Sequence, residues 1–217
     1  MKYDAIFLDL DGTVIDSLQD IVDAVNYTMR HFGLRQFSRE ELRPKLGWGV
    51  STLMRLALPG TSEARREELL AFYKPYYAVH AGDHSKPFEG ILPMLRAMRD
   101  AGLVLAILSN KPDAAVQPLA EKYFADVVAL SVGERPEVIR KPAPDMLLKT
   151  AKDLNVDIRR CLYVGDSEVD IDTANNTGID CACVTWGFRN REELARAGAK
   201  YIFDTMDELL AFATQSE

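Results

Sequence analysis

Residues 3–17, "YDAIFLDLDGTVIDS", set the architecture of this chain because they run an apolar strand directly into several carboxylates. Residues 3–8 form a short, nearly continuous apolar run, which is typical of a strand buried on both faces of a parallel sheet. Asp9 and Asp11 follow at its carboxyl end, and Gly12 permits a sharp turn there. Open α/β sheets bind ligands at these strand ends, so the stretch predicts an acidic site at the rim of a sheet.

Similar apolar runs recur along the chain and alternate with helical patterns. The further predicted strands lie at residues 103–109, 127–132, 161–165 and 181–186. The helical patterns lie at residues 91–102, 112–124, 142–155, 167–178 and 201–213. Ser167 and Gly178 mark the ends of the fourth helix, and Thr205 with Glu208 has the spacing of a capping box. The alternation predicts an α/β protein with an open, doubly wound, Rossmann-like parallel sheet.

One segment breaks the alternation, because residues 17–82 contain no strand pattern. They predict four helices, at about 18–32, 39–46, 50–57 and 62–79. A purely helical block inserted after the first strand indicates a lid over the sheet. We therefore assign residues 16–83 to an all-helical cap domain, and residues 1–15 and 84–217 to a catalytic α/β core domain.

The composition argues against several classes of protein. The 217 residues carry a formal net charge of −7 and no run of Lys or Arg, so nucleic acid is not an expected partner. No apolar run approaches the roughly 20 residues that cross a bilayer, and the first residues do not resemble a signal peptide. Cys161, Cys181 and Cys183 lack the spacing of a disulfide framework, which indicates a reducing compartment. We expect a cytoplasmic monomer or homodimer without membrane partners.

Polar side chains follow the other predicted strands at the same edge of the sheet. Ser109 and Asn110 end the second strand, Lys141 follows the third, and Asp166 ends the fourth, with Asp170 one helical turn later. Asp166 would then lie near the two carboxylates that end the first strand. Like charges this close require a cation, and a set of oxygen ligands favours Mg²⁺. Asp170 is as compatible with capping a helix as with a metal role.

The same residues suit a phosphate group. Ser109, Asn110 and Lys141 can face phosphate oxygens, although Lys111 is a competitor for that role. The turn at Gly12 and Thr13 can add backbone N–H groups. A carboxylate at such a site can attack phosphorus and form an aspartyl-phosphate, with a second carboxylate as general acid and base. Asp9 is the candidate nucleophile and Asp11 the candidate acid/base, which requires different environments for the two.

Four motifs resemble those of the haloacid dehalogenase superfamily of phosphotransferases, in the family's order. They are "DLDGT" (9–13), "ILSN" (107–110), "KPAPD" (141–145) and "YVGDSEVD" (163–170). The resemblance implies that Asp9 is the nucleophile and that Asp11 is the acid/base, with a backbone carbonyl facing Mg²⁺. It further implies that Ser109 and Lys141 contact the phosphate and that Asp166 binds the metal. The small helical cap is also a feature of this family.

The resemblance also narrows the reaction. An Asp at position 11 implies a phosphatase or a phosphomutase, because dehalogenases lack this acid/base. The phrases at 11–21, 46–50 and 184–189 are most similar to phosphoglycolate phosphatases, which implies 2-phosphoglycolate, a small phosphorylated metabolite, as the substrate. Relatives with similar phrases cleave pyrophosphate, sugar phosphates or nucleotides. A non-enzymatic phosphoacceptor domain gathers the same residue types, but it is shorter and lacks a cap.

Overall fold

The computed structural model describes residues 2–215, which form eight strands. These are β1 (Ala5–Leu8), β2 (Ile15–Asp16), β3 (Lys86–Pro87), β4 (Val104–Pro112), β5 (Leu130–Glu134), β6 (Cys161–Gly165), β7 (Asp180–Val184) and β8 (Tyr201–Phe203). Six of them form one parallel sheet in the order β5-β4-β1-β6-β7-β8. This sheet confirms the predicted α/β class and places β1 between β4 and β6, so the three strands that carry most of the predicted site are neighbours.

The described residues also form ten α-helices. These are α1 (Leu18–His31), α2 (Arg39–Leu42), α3 (Val50–Ala57), α4 (Glu63–His80), α5 (Ile91–Asp100), α6 (Asp113–Phe124), α7 (Asp145–Asp153), α8 (Glu168–Thr177), α9 (Arg191–Arg196) and α10 (Met206–Thr214). Short 3₁₀ turns lie at Arg43–Lys45 and Ile158–Arg160. Among the residues the structure covers, no helix has both the length and the apolar character needed to cross a membrane.

The sheet is covered on both faces, which explains the continuous apolar runs. In β1, Ile6 and Leu8 pack into one core cluster, and Ala5 and Phe7 pack into another. Because successive side chains of a strand point to opposite faces, each cluster lies on one side of the sheet. Helices α5 and α10 contribute to the first cluster and α7 to the second.

Helices α1–α4 lie within the predicted cap and share a hydrophobic cluster, which Ala115 of α6 and Phe188 also join. Val25 and Met29 of α1 pack there with Met54 of α3 and Tyr73 of α4. At the base of this segment, β2 pairs antiparallel with β3, so the chain leaving the sheet and the chain returning to it lie side by side.

A buried carboxylate also joins the cap to its return segment. Asp20 of α1 accepts hydrogen bonds from the N–H of His84 at 2.9 Å, the N–H of Ser85 at 2.8 Å and the hydroxyl of Ser85 at 2.6 Å. Asp23 lies beside these residues, since one side-chain O or N atom of each of Asp20, Asp23 and His84 lies within 4.8 Å of the others. Because donors of the return segment already engage both oxygens of Asp20, a structural role accounts for its burial.

Several element boundaries differ from the predictions. Residues 127–129 do not begin a strand, because the N–H groups of Val127 and Val128 continue the end of α6 by bonding to Phe124 O. The helix predicted from residue 142 begins at Asp145, after a turn in which Ala143 N–H bonds to Arg140 O. The helix predicted over residues 201–213 begins at Met206, because residues 201–203 form strand β8 by pairing with β7. Strands β2 and β3 and helix α9 were not predicted. Met1, Ser216 and Glu217, which were assigned to the core domain, lie outside the described residues.

Candidate active site

The predicted site residues meet at one rim because β4, β1 and β6 are adjacent and parallel. Asp9 directly follows β1, Ser109 and Asn110 lie near the end of β4, and Asp166 directly follows β6. Lys141 arrives from the turn before α7 and contacts Asp9. All five residues are buried. Residues separated by as many as 157 positions thus form one cluster (166 − 9 = 157).

Asp9 and Lys141 form the centre of this cluster. Oδ1 of Asp9 lies 2.8 Å from Nζ of Lys141. The two atoms are not aligned for a hydrogen bond, so this oxygen remains a buried acceptor without a hydrogen-bond partner. Burial raises the pKa of Asp9 to about 7, with a further increase from the charge of Asp170 and an opposing effect from Lys141. The charged form of Asp9 is therefore costly without additional positive charge.

Lys141 is held by three groups. Its ammonium donates to Oδ1 of Asp170 and to the hydroxyl of Tyr163, each at 2.8 Å, besides its ion pair with Asp9. Burial opposes the charged form, but the carboxylates of Asp170 and Asp9 raise the pKa of Lys141 well above its ordinary value. Lys141 is therefore a fixed cation beneath Asp9.

Asp166 is positioned by two donors. Its Oδ2 accepts the N–H of Phe188 at 2.6 Å, and its Oδ1 accepts the hydroxyl of Thr13 at 3.2 Å. Burial raises the pKa of Asp166 well above its ordinary value, and the charges of Asp170 and Asp9 raise it further. The Phe188 contact was not predicted, because the loop after β7 is distant from Asp166 in the chain.

Asp170 caps helix α8. Its Oδ2 accepts the N–H of Asp166 at 3.2 Å, the N–H of Ser167 at 3.1 Å and the hydroxyl of Ser167 at 2.8 Å. Its Oδ1 faces Lys141 and Tyr163. Both oxygens of this carboxylate are therefore engaged by protein donors, which favours the capping alternative.

The carboxylates at this rim fit a hard divalent cation. Asp9, Asp166 and Asp170 each offer an oxygen, and these oxygens lie within 4.8 Å of one another. The Asp9 oxygen that lacks a hydrogen bond and the raised pKa values of Asp9 and Asp166 mark a site with excess negative charge. Asp170 already accepts three hydrogen bonds at Oδ2 and is ion-paired with Lys141 at Oδ1, whereas Asp166 accepts one hydrogen bond from a neutral donor at each oxygen. The side chains of Asp9 and Asp166 are therefore the better ligands.

Asp11 is placed differently from Asp9. Its side chain is 17% exposed, and its Oδ1 accepts a hydrogen bond from Nζ of Lys111 at 2.9 Å. The same ammonium also bonds to the hydroxyl of Tyr77, from α4 of the cap. Asp9 and Asp11 both line a cavity of about 50 Å³ beneath the cap, together with Ser109 and Lys111. The two carboxylates thus share a cavity but have different burial and different partners.

The residues predicted to bind phosphate through the β1 turn are engaged within the protein. Gly12 N–H donates to Ile15 O at 2.9 Å, and the Thr13 hydroxyl donates to Asp166. Gly12 has a φ of +87°, and a Cβ there would lie 2.4 Å from Oδ2 of Asp166. Gly12 thus allows the acidic loop to approach Asp166 closely.

Asn110 connects three parts of the site. Its side-chain nitrogen donates to Gly47 O at 3.1 Å and Lys141 O at 3.0 Å, and its oxygen accepts the N–H of Lys141 at 2.9 Å. The Asn110 amide therefore joins the cap to the segment that carries Lys141. In contrast, Ser109 has its hydroxyl oxygen 3.2 Å from the N–H of Lys111 and lines the cavity.

The buried guanidinium of Arg189 joins the helices of the predicted cap to the core. Nη2 of Arg189 lies 2.8 Å from Oε1 of Glu168 and donates to Leu46 O at 3.1 Å and Pro44 O at 3.2 Å. The indole N–H of Trp48 donates to the same carboxylate at 3.0 Å. From the sequence alone, Arg189 is compatible with a cation in a loop that has no function. Its neighbours in the "VTWGFR" phrase were the only available signal.

A comparison with protein families identifies one that covers most of the chain. Residues 6–184 match the model of the haloacid dehalogenase-like hydrolases. A phosphoglycolate phosphatase from Colwellia psychrerythraea is 30% identical over 215 residues, covering 95% of both chains. Another, from Xanthomonas campestris pv. campestris, is 32% identical over 186 residues, covering 85% of this chain and 84% of the relative.

A similar fold is found among solved structures. The crystal structure of a candidate phosphoglycolate phosphatase from Lactobacillus delbrueckii subsp. bulgaricus superposes with a TM-score of 0.92. The two sequences are 36% identical, and the match covers 98% of this chain and 99% of the other. The likeness therefore includes helices α1–α4 as well as the sheet.

Proposed function

The chain belongs to the haloacid dehalogenase-like hydrolases and is a phosphoric monoester hydrolase, and on that premise we propose that it hydrolyses 2-phosphoglycolate with Mg²⁺ through an aspartyl-phosphate on Asp9. The observation that carries this proposal is the state of Asp9. It is a buried carboxylate at the end of the central strand, it lines the cavity, and it has an oxygen without a hydrogen-bond partner.

In the first half of the reaction, an oxygen of Asp9 attacks phosphorus and the bond to the leaving oxygen breaks. Asp11 gives its proton to that oxygen. In the second half, Asp11 takes a proton from a water molecule whose oxygen attacks phosphorus, which releases phosphate and restores Asp9. This division of roles requires different surroundings for the two carboxylates, and they differ: Asp9 is buried beside Lys141, whereas Asp11 is partly exposed at the cavity.

The remaining predicted residues support this chemistry. Mg²⁺, held by the side chains of Asp9 and Asp166 and the backbone carbonyl of Asp11, would supply positive charge that offsets the charge of the phosphate. The Ser109 hydroxyl would donate to a phosphate oxygen from the cavity wall. Lys141 keeps Asp9 oriented beside it, and Asn110 holds the segment that carries Lys141.

The size of the site supports a small substrate. The cavity of about 50 Å³ lies beneath the cap, and Leu46 and Val50 form part of its apolar wall. We propose that residues 16–83 act as a cap that opens to admit substrate and closes to exclude water. Pyrophosphate, sugar phosphates and nucleotides are the competing substrates, and a phosphomutase is the competing reaction.

A substrate panel tests the proposal. Phosphate release is measured from 2-phosphoglycolate, pyrophosphate, a hexose phosphate and a nucleoside monophosphate, each with Mg²⁺ and with EDTA. We expect the highest kcat/KM for 2-phosphoglycolate, and loss of turnover in EDTA. A higher kcat/KM for another member of the panel would overturn the substrate. An isomerised sugar phosphate without phosphate release would indicate a mutase, and a single phosphorylation without turnover would indicate a phosphoacceptor domain.

A further inference from the structure

We propose that Lys111 is a specificity residue that binds a negatively charged group on the leaving-group side of the substrate. The inference deepens the proposed function and depends on it. It starts from a buried cation that the chemistry described above does not use. The Lys111 side chain is 1% exposed, yet it lies on the cavity wall beside Asp11.

The partners of Lys111 leave it able to bind a ligand. An ammonium has three N–H donors. The described residues supply two hydrogen-bond acceptors for them, Oδ1 of Asp11 and the hydroxyl of Tyr77. Lys141 also makes two hydrogen bonds, to Asp170 and Tyr163, but the rest of its ammonium faces the Asp9 carboxylate. Of these two lysines, Lys111 is therefore the one whose third donor meets no second carboxylate among the described residues.

The location of Lys111 identifies which end of the substrate it would meet. The leaving oxygen must lie within hydrogen-bond reach of Asp11, which protonates it. Because Nζ of Lys111 is 2.9 Å from Asp11, the ammonium lies beside the leaving group. Its second partner, Tyr77, belongs to α4, whose residues Tyr73 and Tyr77 also line the cavity.

The rest of the cavity gives this charge its selectivity. Apart from the acidic rim, much of the wall is apolar and includes Ile21, Leu53 and Phe188. A charge–charge contact is stronger in such surroundings than in water, and a neutral group in the same place would gain little. The ligand class is therefore a small phosphate ester whose leaving group carries a carboxylate or a second phosphate.

The experiment compares substrates that differ in charge on the leaving side. The variant Lys111→Gln is assayed with 2-phosphoglycolate, with pyrophosphate and with 2-hydroxyethyl phosphate, whose leaving group is neutral. We expect the kcat/KM ratio of 2-phosphoglycolate to 2-hydroxyethyl phosphate to fall about 100-fold, because a hydrogen bond between charged groups is lost. Lys152→Gln, which removes an exposed lysine of α7, should leave the ratio unchanged.

The outcomes separate the inference from the proposed function. An equal loss for both esters would mean that Lys111 acts only through Asp11, and would overturn the inference. A wild-type protein that hydrolyses none of the three esters would overturn the proposed function itself. A selective loss for pyrophosphate alone would support anion recognition while assigning the second phosphate as the group recognised.

Two further variants keep the inference testable if Lys111→Gln fails to fold. Lys111→Arg keeps the charge and should retain most of the preference for the charged leaving group. Tyr77→Phe removes one partner of the ammonium and leaves the ring in place, so we expect a smaller loss of the same ratio. An unchanged ratio in Tyr77→Phe together with a lost preference in Lys111→Arg would overturn the role of the charge.

Discussion

Nζ of Lys141 lies 2.8 Å from Oδ1 of Asp9 without the alignment of a hydrogen bond. The same ammonium does make hydrogen bonds to Asp170 and Tyr163. Lys141 therefore supplies charge to Asp9 while its geometry is fixed by other groups. The Lys141 charge therefore stabilises the Asp9 carboxylate, while Oδ1 of Asp9 keeps an acceptor site for a ligand. A structural ion pair would instead use that oxygen in a hydrogen bond.

The first prediction concerns the nucleophile. Asp9→Asn should reduce kcat by at least about 1,000-fold, because an amide oxygen cannot replace the attacking carboxylate. Phosphate release from 2-phosphoglycolate measures the effect, and Asp207→Asn, at an exposed position of α10, is the control. Mass spectrometry of the quenched wild-type enzyme should find phosphate on Asp9. Near-normal turnover in Asp9→Asn would reject this assignment.

The second prediction concerns stability and pH without metal. Burial raises the pKa of Asp9 from 3.8 to about 7 on folding. Between these values the folded chain binds more protons than the unfolded chain, so the contribution of Asp9 to the free energy of unfolding falls as pH rises. Asp9→Asn removes the titrating carboxyl group. The free energy of unfolding of the variant, relative to that of wild type, should therefore increase as pH rises from about 4 to about 7.

Urea unfolding in EDTA measures this difference at pH values of about 4.5 and 7.5, which span most of the window. The comparison with wild type cancels the contributions of other carboxylates that both proteins share. A stability difference that is the same at both pH values would contradict the link between burial and the raised pKa of Asp9.

The third prediction concerns the metal. Loss of a group that only orients a metal ligand costs about 10–100-fold in affinity, so Asp166→Asn should raise the Mg²⁺ concentration for half-maximal activity at least about 10-fold. Activity measured over a Mg²⁺ titration gives this value. Asp172→Asn, at an exposed position of the adjacent helix α8, provides the matched control. Equal Mg²⁺ requirements in the two variants would exclude Asp166 as a ligand.

The fourth prediction concerns the attachment of the cap. Arg189→Met should lower the free energy of unfolding by about 2 kcal/mol, because it leaves backbone carbonyls of Pro44 and Leu46 without their buried donor and half-buried Glu168 without its counter-charge. The control is Arg191→Met, two residues after Arg189, which breaks an exposed ion pair with Asp204. It should lower the free energy of unfolding by less than about 1 kcal/mol. Urea unfolding distinguishes the two. A similar cost for both variants would mean that the Arg189 contacts add no stability.

The sequence was most informative where structure depends on neighbours in the chain. Strand β1, the four helices α1–α4 and the ends of α8 follow from apolar spacing, capping residues and the glycine at 178. The capping box at Thr205 and Glu208 is present at the start of α10. The prediction of a helix over residues 201–203 was wrong, because so short a segment becomes the strand β8 only through pairing with β7.

The candidate site shows the same division. The order of four motifs along the sequence was enough to propose that Asp9, Ser109, Lys141 and Asp166 act together, since parallel strands end at one rim. Local sequence could not reveal that Lys111 bonds to Tyr77 of the cap or that Phe188 donates to Asp166. Those contacts depend on how the cap and the β7 loop pack against the sheet. The spacing of residue types along the chain determines where turns form and which side of a helix or strand is buried. Distances between side chains that are remote in the sequence are set only when the whole core packs.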